Sequence, residues 1–234
     1  MQNSFYDSQR AQLREDYFRD NSKSSAGGDL FFKIINSELP EGSRILDIGT
    51  GNAFVLNQLS NQGYSLNGVD ISPEMLKKAR ESAQRNNLQL AVGDNFALPF
   101  QSDSFDAVTA KNVTNFSAPE VYRVLKNTGK FFFREYGPGK GLKEIADLFP
   151  GRLVRSRDPP FYIRGLESAG FRKISLTRLD LTREYSQGSL LSVIQMFPFL
   201  DSLNPEDISM IESYFGESET KKITSDQIII IGEK

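Results

Sequence analysis

The sequence contains no cysteine and no histidine among its 234 residues. The first absence excludes a disulfide framework, a thiolate metal site and a cysteine nucleophile. The second removes the usual general base at neutral pH and the commonest metal ligand, so no metal centre is expected. Any proton acceptor must then be Asp, Glu, Tyr, Lys or water, unless the chemistry needs none. No apolar run approaches the roughly 18 residues of a membrane span. The opening residues are polar and lack the apolar stretch of a signal peptide, so a cytoplasmic protein is expected. Net charge is also scarce: 28 Lys and Arg against 30 Asp and Glu leave −2, which provides no overall nucleic-acid footprint. No internal repeat or low-complexity tract occurs, and no GxxxxGKS or GxxxxGKT loop is present to cradle nucleotide phosphates.

What is present suits one α/β domain, with 38% hydrophobic and 25% charged residues. Residues 4–19 pattern as an amphipathic helix carrying Phe5, Tyr6, Leu13, Tyr17 and Phe18, followed by a small-residue linker. Asp29 is placed to cap a helix over 30–38 that stops before Pro40. Strands are predicted at 44–48, 64–69, 88–92, 105–110, 130–135, 171–181 and 227–231. Through the first five, helices alternate with strands, which demands a parallel sheet with right-handed crossovers. The last strand holds four consecutive isoleucines and reads as buried on both faces. Two helical segments, 189–200 and 205–214, separate the final strands. The division expected is an N-terminal helical lid over 1–40 and a main domain over 41–234, with a substrate-shaping insertion around 182–222.

The first strand runs into Asp47-Ile48-Gly49-Thr50-Gly51, a glycine turn that allows close backbone approach to a ligand. Asp70 follows about 20 residues later at the end of the second strand, where a carboxylate can accept both hydroxyls of a ribose. Asp94 holds the matching place on the third strand. Three successive strand ends so equipped describe an adenosine-shaped cleft. A dinucleotide turn would need a third small residue at Phe54, where helix and strand pack closely, so a nicotinamide or flavin cofactor is not expected.

ILDIGTGNA at 45–53, GVDIS at 68–72, GDNFALPF at 93–100 and FDAVTAKNVTNF at 105–116 resemble, in sequence and order, the class I (Rossmann-like) S-adenosylmethionine-dependent methyltransferases. EVYRVLKNTGKFFFRE at 120–135 and ESAGF at 167–171 extend the likeness. The resemblance implies a doubly wound, seven-stranded, mostly parallel sheet with its last strand antiparallel, and S-adenosyl-L-methionine as cofactor. It implies that Gly49 and Gly51 line the cofactor's methionine part, with Asp47 anchoring the turn. Asp70 and Ile71 would sit at the ribose, and Asp94 at the adenine amino group beside Asn95 and Phe96. Lys111 and Asn112 would stand near the methionine and the transferred methyl. Ala53 replaces a glycine common in the family, a change that a methyl group should allow.

The catalytic group is left open among Glu135, Tyr136 and Lys111. Tyr6, Tyr17, Phe18 and Tyr136 are the candidates for touching substrate. A small metabolite is the expected acceptor, at nitrogen or at a carboxyl or hydroxyl oxygen, because aromatics and insertions suit a closed pocket. The runners-up are methylation of a tRNA base and a noncatalytic regulatory protein that keeps the cofactor cleft. No membrane partner is expected.

Overall fold

The computed structural model describes residues 26–82, 88–154, 157–197, 199–200 and 202–234. Short apolar runs ended by glycine or aspartate form β1 (Arg44–Ile48), β2 (Ser65–Asp70), β3 (Gln89–Val92) and β4 (Phe105–Lys111). β1 pairs in parallel with β2 and β4, and β2 with β3. β5 (Leu125–Tyr136) lies parallel to β4. With β6 (Arg172–Ser186) and β7 (Thr220–Glu233) the seven strands are ordered β3-β2-β1-β4-β5-β7-β6, and β7 is antiparallel. The order reverses beside β1, the place where open α/β sheets admit ligands at their carboxyl ends.

The connecting helices are α1 (Ala26–Glu38), α2 (Phe54–Leu59), α3 (Pro73–Ser82), α4 (Ala118–Val124), α5 (Lys143–Ala146), α6 (Pro159–Ala169), α7 (Gln187–Met196) and α8 (Pro205–Phe215). Their starts carry local instructions. Ser117 caps α4, Asp158 caps α6, and Asn204 with Asp207 makes a capping box on α8, each with proline in the first turn. α6 stops at Gly170, whose φ of 104° satisfies the left-handed cap. The helix expected to start at residue 30 after Asp29 starts earlier, because α1 already includes Ala26 and so Asp29 lies inside it.

The chain divides into two compact units and crosses between them within β5, β6 and β7. One unit holds residues 29–135, 157–178 and 228–234. Its core gathers Leu46, Ile48, Val108, Phe131 and Phe133 from the sheet with Tyr162 and Leu166 of α6. Ile228, Ile229 and Ile230 are buried, as a strand covered on both faces requires. Among the described residues the other unit holds 26–28, 136–154, 179–197, 199–200 and 202–227. It has its own core, including Phe149, Leu190, Ile194, Ile211 and Phe215. The helices expected as an insertion therefore bury apolar faces of their own.

β6 runs five residues beyond its predicted end, to Ser186. At the sheet's edge its burial alternates, so polar residues such as Thr182 and Glu184 fit a strand that hydropathy alone would end early. Among the described residues no helix is long and apolar enough to cross a membrane.

Candidate functional site

The carboxyl ends of β1 to β4 carry most of the residues singled out above. After β1 the backbone turns through Gly49 at φ 62° and Gly51 at φ 56°, left-handed values that glycine takes without strain. A Cβ on Gly49 would lie 2.7 Å from Val113 Cγ2 and 3.5 Å from Asn95 Nδ2. The turn, the loop after β3 and the loop after β4 therefore converge on one bare stretch of backbone. Ala53, where the family often has glycine, is itself left-handed at φ 61° and buried.

Asp70 braces this turn. Its Oδ2 accepts the Gly51 N–H at 2.8 Å and its Oδ1 accepts the Ser72 N–H at 2.9 Å, tying β2's end to the glycine turn and to the start of α3. The side chain remains partly exposed, and a carboxylate has more acceptor capacity than two amides use. Asp47 is different: it is buried, and Thr109 Oγ1 donates to its Oδ1 at 2.7 Å. Burial pushes the Asp47 carboxyl up to about 7, against lowering by the hydroxyls of Thr109 and Thr50 and by the charge of Lys111.

Asp94 is exposed and shapes its own loop, its Oδ1 accepting the Phe96 N–H at 2.9 Å. That loop is bolted to α4. Ser117 N–H donates to the Asn95 carbonyl (3.1 Å), Leu98 N–H to Glu120 Oε2 (2.8 Å), and Arg123 Nη2 to the Leu98 carbonyl (3.0 Å). The Arg123 hydrogen bond holds the Glu120 carboxyl below its usual range.

Four of the six exposed large apolar side chains among the described residues, Phe54, Ile71, Val92 and Phe96, stand at these same strand ends or at the start of α2. Ile71 at 65% and Phe96 at 58% exposure are uncovered well beyond ordinary surface apolar residues, which marks a place where something flat and apolar can lie. Phe54 does not sit where the dinucleotide argument put it. It is half exposed, tilted against Phe32 at 6.0 Å, with Lys111 Nζ 4.7 Å above its ring. The tight approach falls instead at Gly68 of β2, where a Cβ would meet Leu90, Thr50 and Leu56 side chains at 2.8 to 3.0 Å.

Asn112 follows β4 in a left-handed conformation, φ 58°. Glu135, near the end of β5, is buried, and its charge together with burial raises the Tyr162 phenol, burial being the larger cause. Tyr136 falls in the other unit, its ring filling the space beside Gly141. Tyr6, Tyr17 and Phe18 lie outside the described residues. Sequence reasoning missed Thr109, Val113, Arg134 and the Glu120–Arg123 bolt. Only Thr109 and Arg134 carried a signal, a polar and a charged residue inside otherwise apolar strands. Among the described residues no cluster of three or more acidic, His or Cys side chains is placed to hold a metal ion.

Residues 46–133 match the methyltransferase domain family. Over 152 residues, 61% of this chain, the sequence is 32% identical to an uncharacterised methyltransferase of Bacillus subtilis (strain 168), YcgJ, and covers 59% of it. Over 128 residues, 48% of this chain, it is 32% identical to the ubiquinone/menaquinone biosynthesis C-methyltransferase UbiE of Ruegeria, covering 51% of that protein. The crystal structure of the Bacillus subtilis YcgJ protein superposes with a TM-score of 0.67 at 20% identity, over 87% of this chain and 97% of that one. The chain thus spans 59% and 51% of the length of these two curated relatives.

Proposed function

We propose that the chain is a class I, Rossmann-like S-adenosylmethionine-dependent methyltransferase that methylates a small-molecule acceptor at nitrogen or at a carboxyl or hydroxyl oxygen. One observation carries the reading: a side-chain-free turn, an oriented carboxylate and uncovered apolar side chains occupy adjacent strand ends.

These residues fit S-adenosylmethionine. Asp70, already aligned by two backbone amides, has lone pairs left for a vicinal diol. Ile71 and Phe96 offer uncovered apolar surface for a purine, and the Asp94 and Asn95 side chains offer polar contacts at its edge. The turn through Gly49 and Gly51 would offer its backbone to the methionine portion, with Lys111 and Asn112 following β4 beside it. When bound, the cofactor supplies an electrophilic methyl on a sulfonium, so the protein's main task is alignment.

Glu135 is our choice among the three catalytic candidates for holding the acceptor's proton. It is buried at a strand end of the unit that carries the cofactor residues. Lys111 is cationic and lies over the Phe54 ring, which suits it less to accepting a proton. A small acceptor is supported by the near-neutral charge, which gives little field for polyanions, and by a relative named for quinone biosynthesis.

The test is a methyl-donor turnover screen over separate metabolite and RNA pools, with products identified by mass. A methylated metabolite supports the reading. Methylation confined to RNA, or tight cofactor binding with no turnover in either pool, overturns it.

A further inference from the structure

Arg134 stands in β5 at 2% exposure, directly after the aromatic run Phe131-Phe132-Phe133. A guanidinium taken out of water needs hydrogen-bond acceptors held for it, so its partners report what it is for. Its Nη1 donates to Asn112 Oδ1 at 2.9 Å. Its own carbonyl accepts the Asn112 N–H, also at 2.9 Å. One residue of β5 therefore holds Asn112 by both side chain and backbone.

Asn112 has reason to be held. Its φ of 58° is a left-handed conformation that costs every non-glycine residue something, asparagine least. That reversal ends β4 and brings the next residue, Val113, onto the glycine turn. Val113 Cγ2 then fills the space a Gly49 Cβ would need, 2.7 Å away. An apolar residue at 134 would bury as well but could not hold the reversal.

We propose that Arg134 is a positioning residue of the cofactor site: by clasping Asn112 it seats Val113 on Gly49 and so sets the turn that receives the cofactor's methionine end. The inference rests on the S-adenosylmethionine reading, because only a ligand at Gly49 gives that seating a functional effect. Arg134 acts through Asn112 and touches no reacting atom in this role.

The experiment is calorimetric titration of the full chain with S-adenosylhomocysteine, paired with thermal melts of each ligand-free variant. Arg134→Met should weaken binding by roughly tenfold or more, the scale of one charge-assisted hydrogen bond. Asn112→Gly should weaken it comparably, while its melting balances the backbone strain that glycine relieves against the Arg134 guanidinium left without its acceptor, so affinity is the deciding readout. A merely structural clasp would move melting and leave affinity alone. The double variant should bind no worse than the weaker single, since both break the same link. Unchanged affinity in Asn112→Gly, or losses that multiply in the double variant, would overturn the proposal. If Arg134→Met fails to fold, Arg134→Lys, which keeps the charge without the guanidinium's reach to Asn112, is read by the same affinity criterion. A wild type that does not bind the probe sinks the cofactor reading and this inference with it, whereas binding by wild type and variants alike sinks only the clasp.

Discussion

Replacing Asp47 by asparagine isolates the largest titration effect at the candidate site. The carboxyl is 2% exposed and accepts the Thr109 hydroxyl at 2.7 Å. Burial is the main cause that carries it from its ordinary 3.8 to about 7, with the negative charge of Asp70 adding to the rise. Below about pH 4 the folded and unfolded chains both hold this proton. From there to about pH 7 the unfolded chain releases it while the native protein retains it, so stability falls as pH rises. Above that the native group ionises too, and the loss is complete.

A gap of about three pH units at about 1.4 kcal/mol each amounts to about 4 kcal/mol. That is a large share of the roughly 5–15 kcal/mol that holds a domain folded. Asparagine offers Thr109 the same oxygen but cannot ionise, so the slope should vanish. Urea unfolding of both proteins at pH 5 and pH 8 measures it. Between those values the wild type should lose about 3 kcal/mol more than Asp47→Asn, from the two units separating pH 5 from the native titration. Parallel losses would show that Asp47 is already ionised in the native state, refuting the burial argument.

Asp70→Ala should weaken cofactor binding by about 2–4 kcal/mol and Asp94→Ala by about 1 kcal/mol, because Asp70 braces Gly51 and is the group proposed to accept the ribose hydroxyls. Calorimetry giving equal losses would contradict these roles. Gly68→Ala drives a Cβ against Leu90 and Thr50 at 2.8 and 2.9 Å, so thermal unfolding should report about 1–3 kcal/mol of overpacking. An unchanged midpoint would show that the sheet and α2 are not in close approach there. Glu120→Ala frees the Leu98 amide and Arg123, and should cost about 1 kcal/mol in chemical denaturation with a loosened loop at 94–98. Deleting residues 1–20, proposed as part of a lid, should spare the fold, whose α1 still buries Phe31 and Ile35, yet remove most methyl transfer. Undiminished turnover of the truncated protein would refute the lid.

Local chemistry in the sequence was enough to place the strands and the glycine turn, though not the start of α1, which lies at Ala26 rather than after Asp29. The structure adds the caps Ser117, Asp158 and Asn204 at the starts of α4, α6 and α8, local signals that the predicted helices did not use. Gly49 and Gly51 announce a turn because their left-handed torsions are a property of single residues. Asp70 and Asp94 could be placed at strand ends by counting along alternating elements. The burial of Asp47 and its bond to Thr109 could not be read that way. They arise because β1 and β4 pair with Asp47 opposite Thr109, 62 residues on, and sequence pattern carries no register between strands.

The same limit explains the error at Phe54 and the omission of Arg134. Spacing names a position in a turn but not the direction its side chain takes once helix and sheet have packed. Tertiary structure decided that Phe54 faces outward beside Lys111, that the close approach belongs to Gly68, and that Arg134 of β5 reaches Asn112 at the end of the neighbouring β4. One-dimensional signals determine which elements form and where a ligand site opens. Which residues brace that site is decided by long-range packing, where groups far apart in the chain share one small volume.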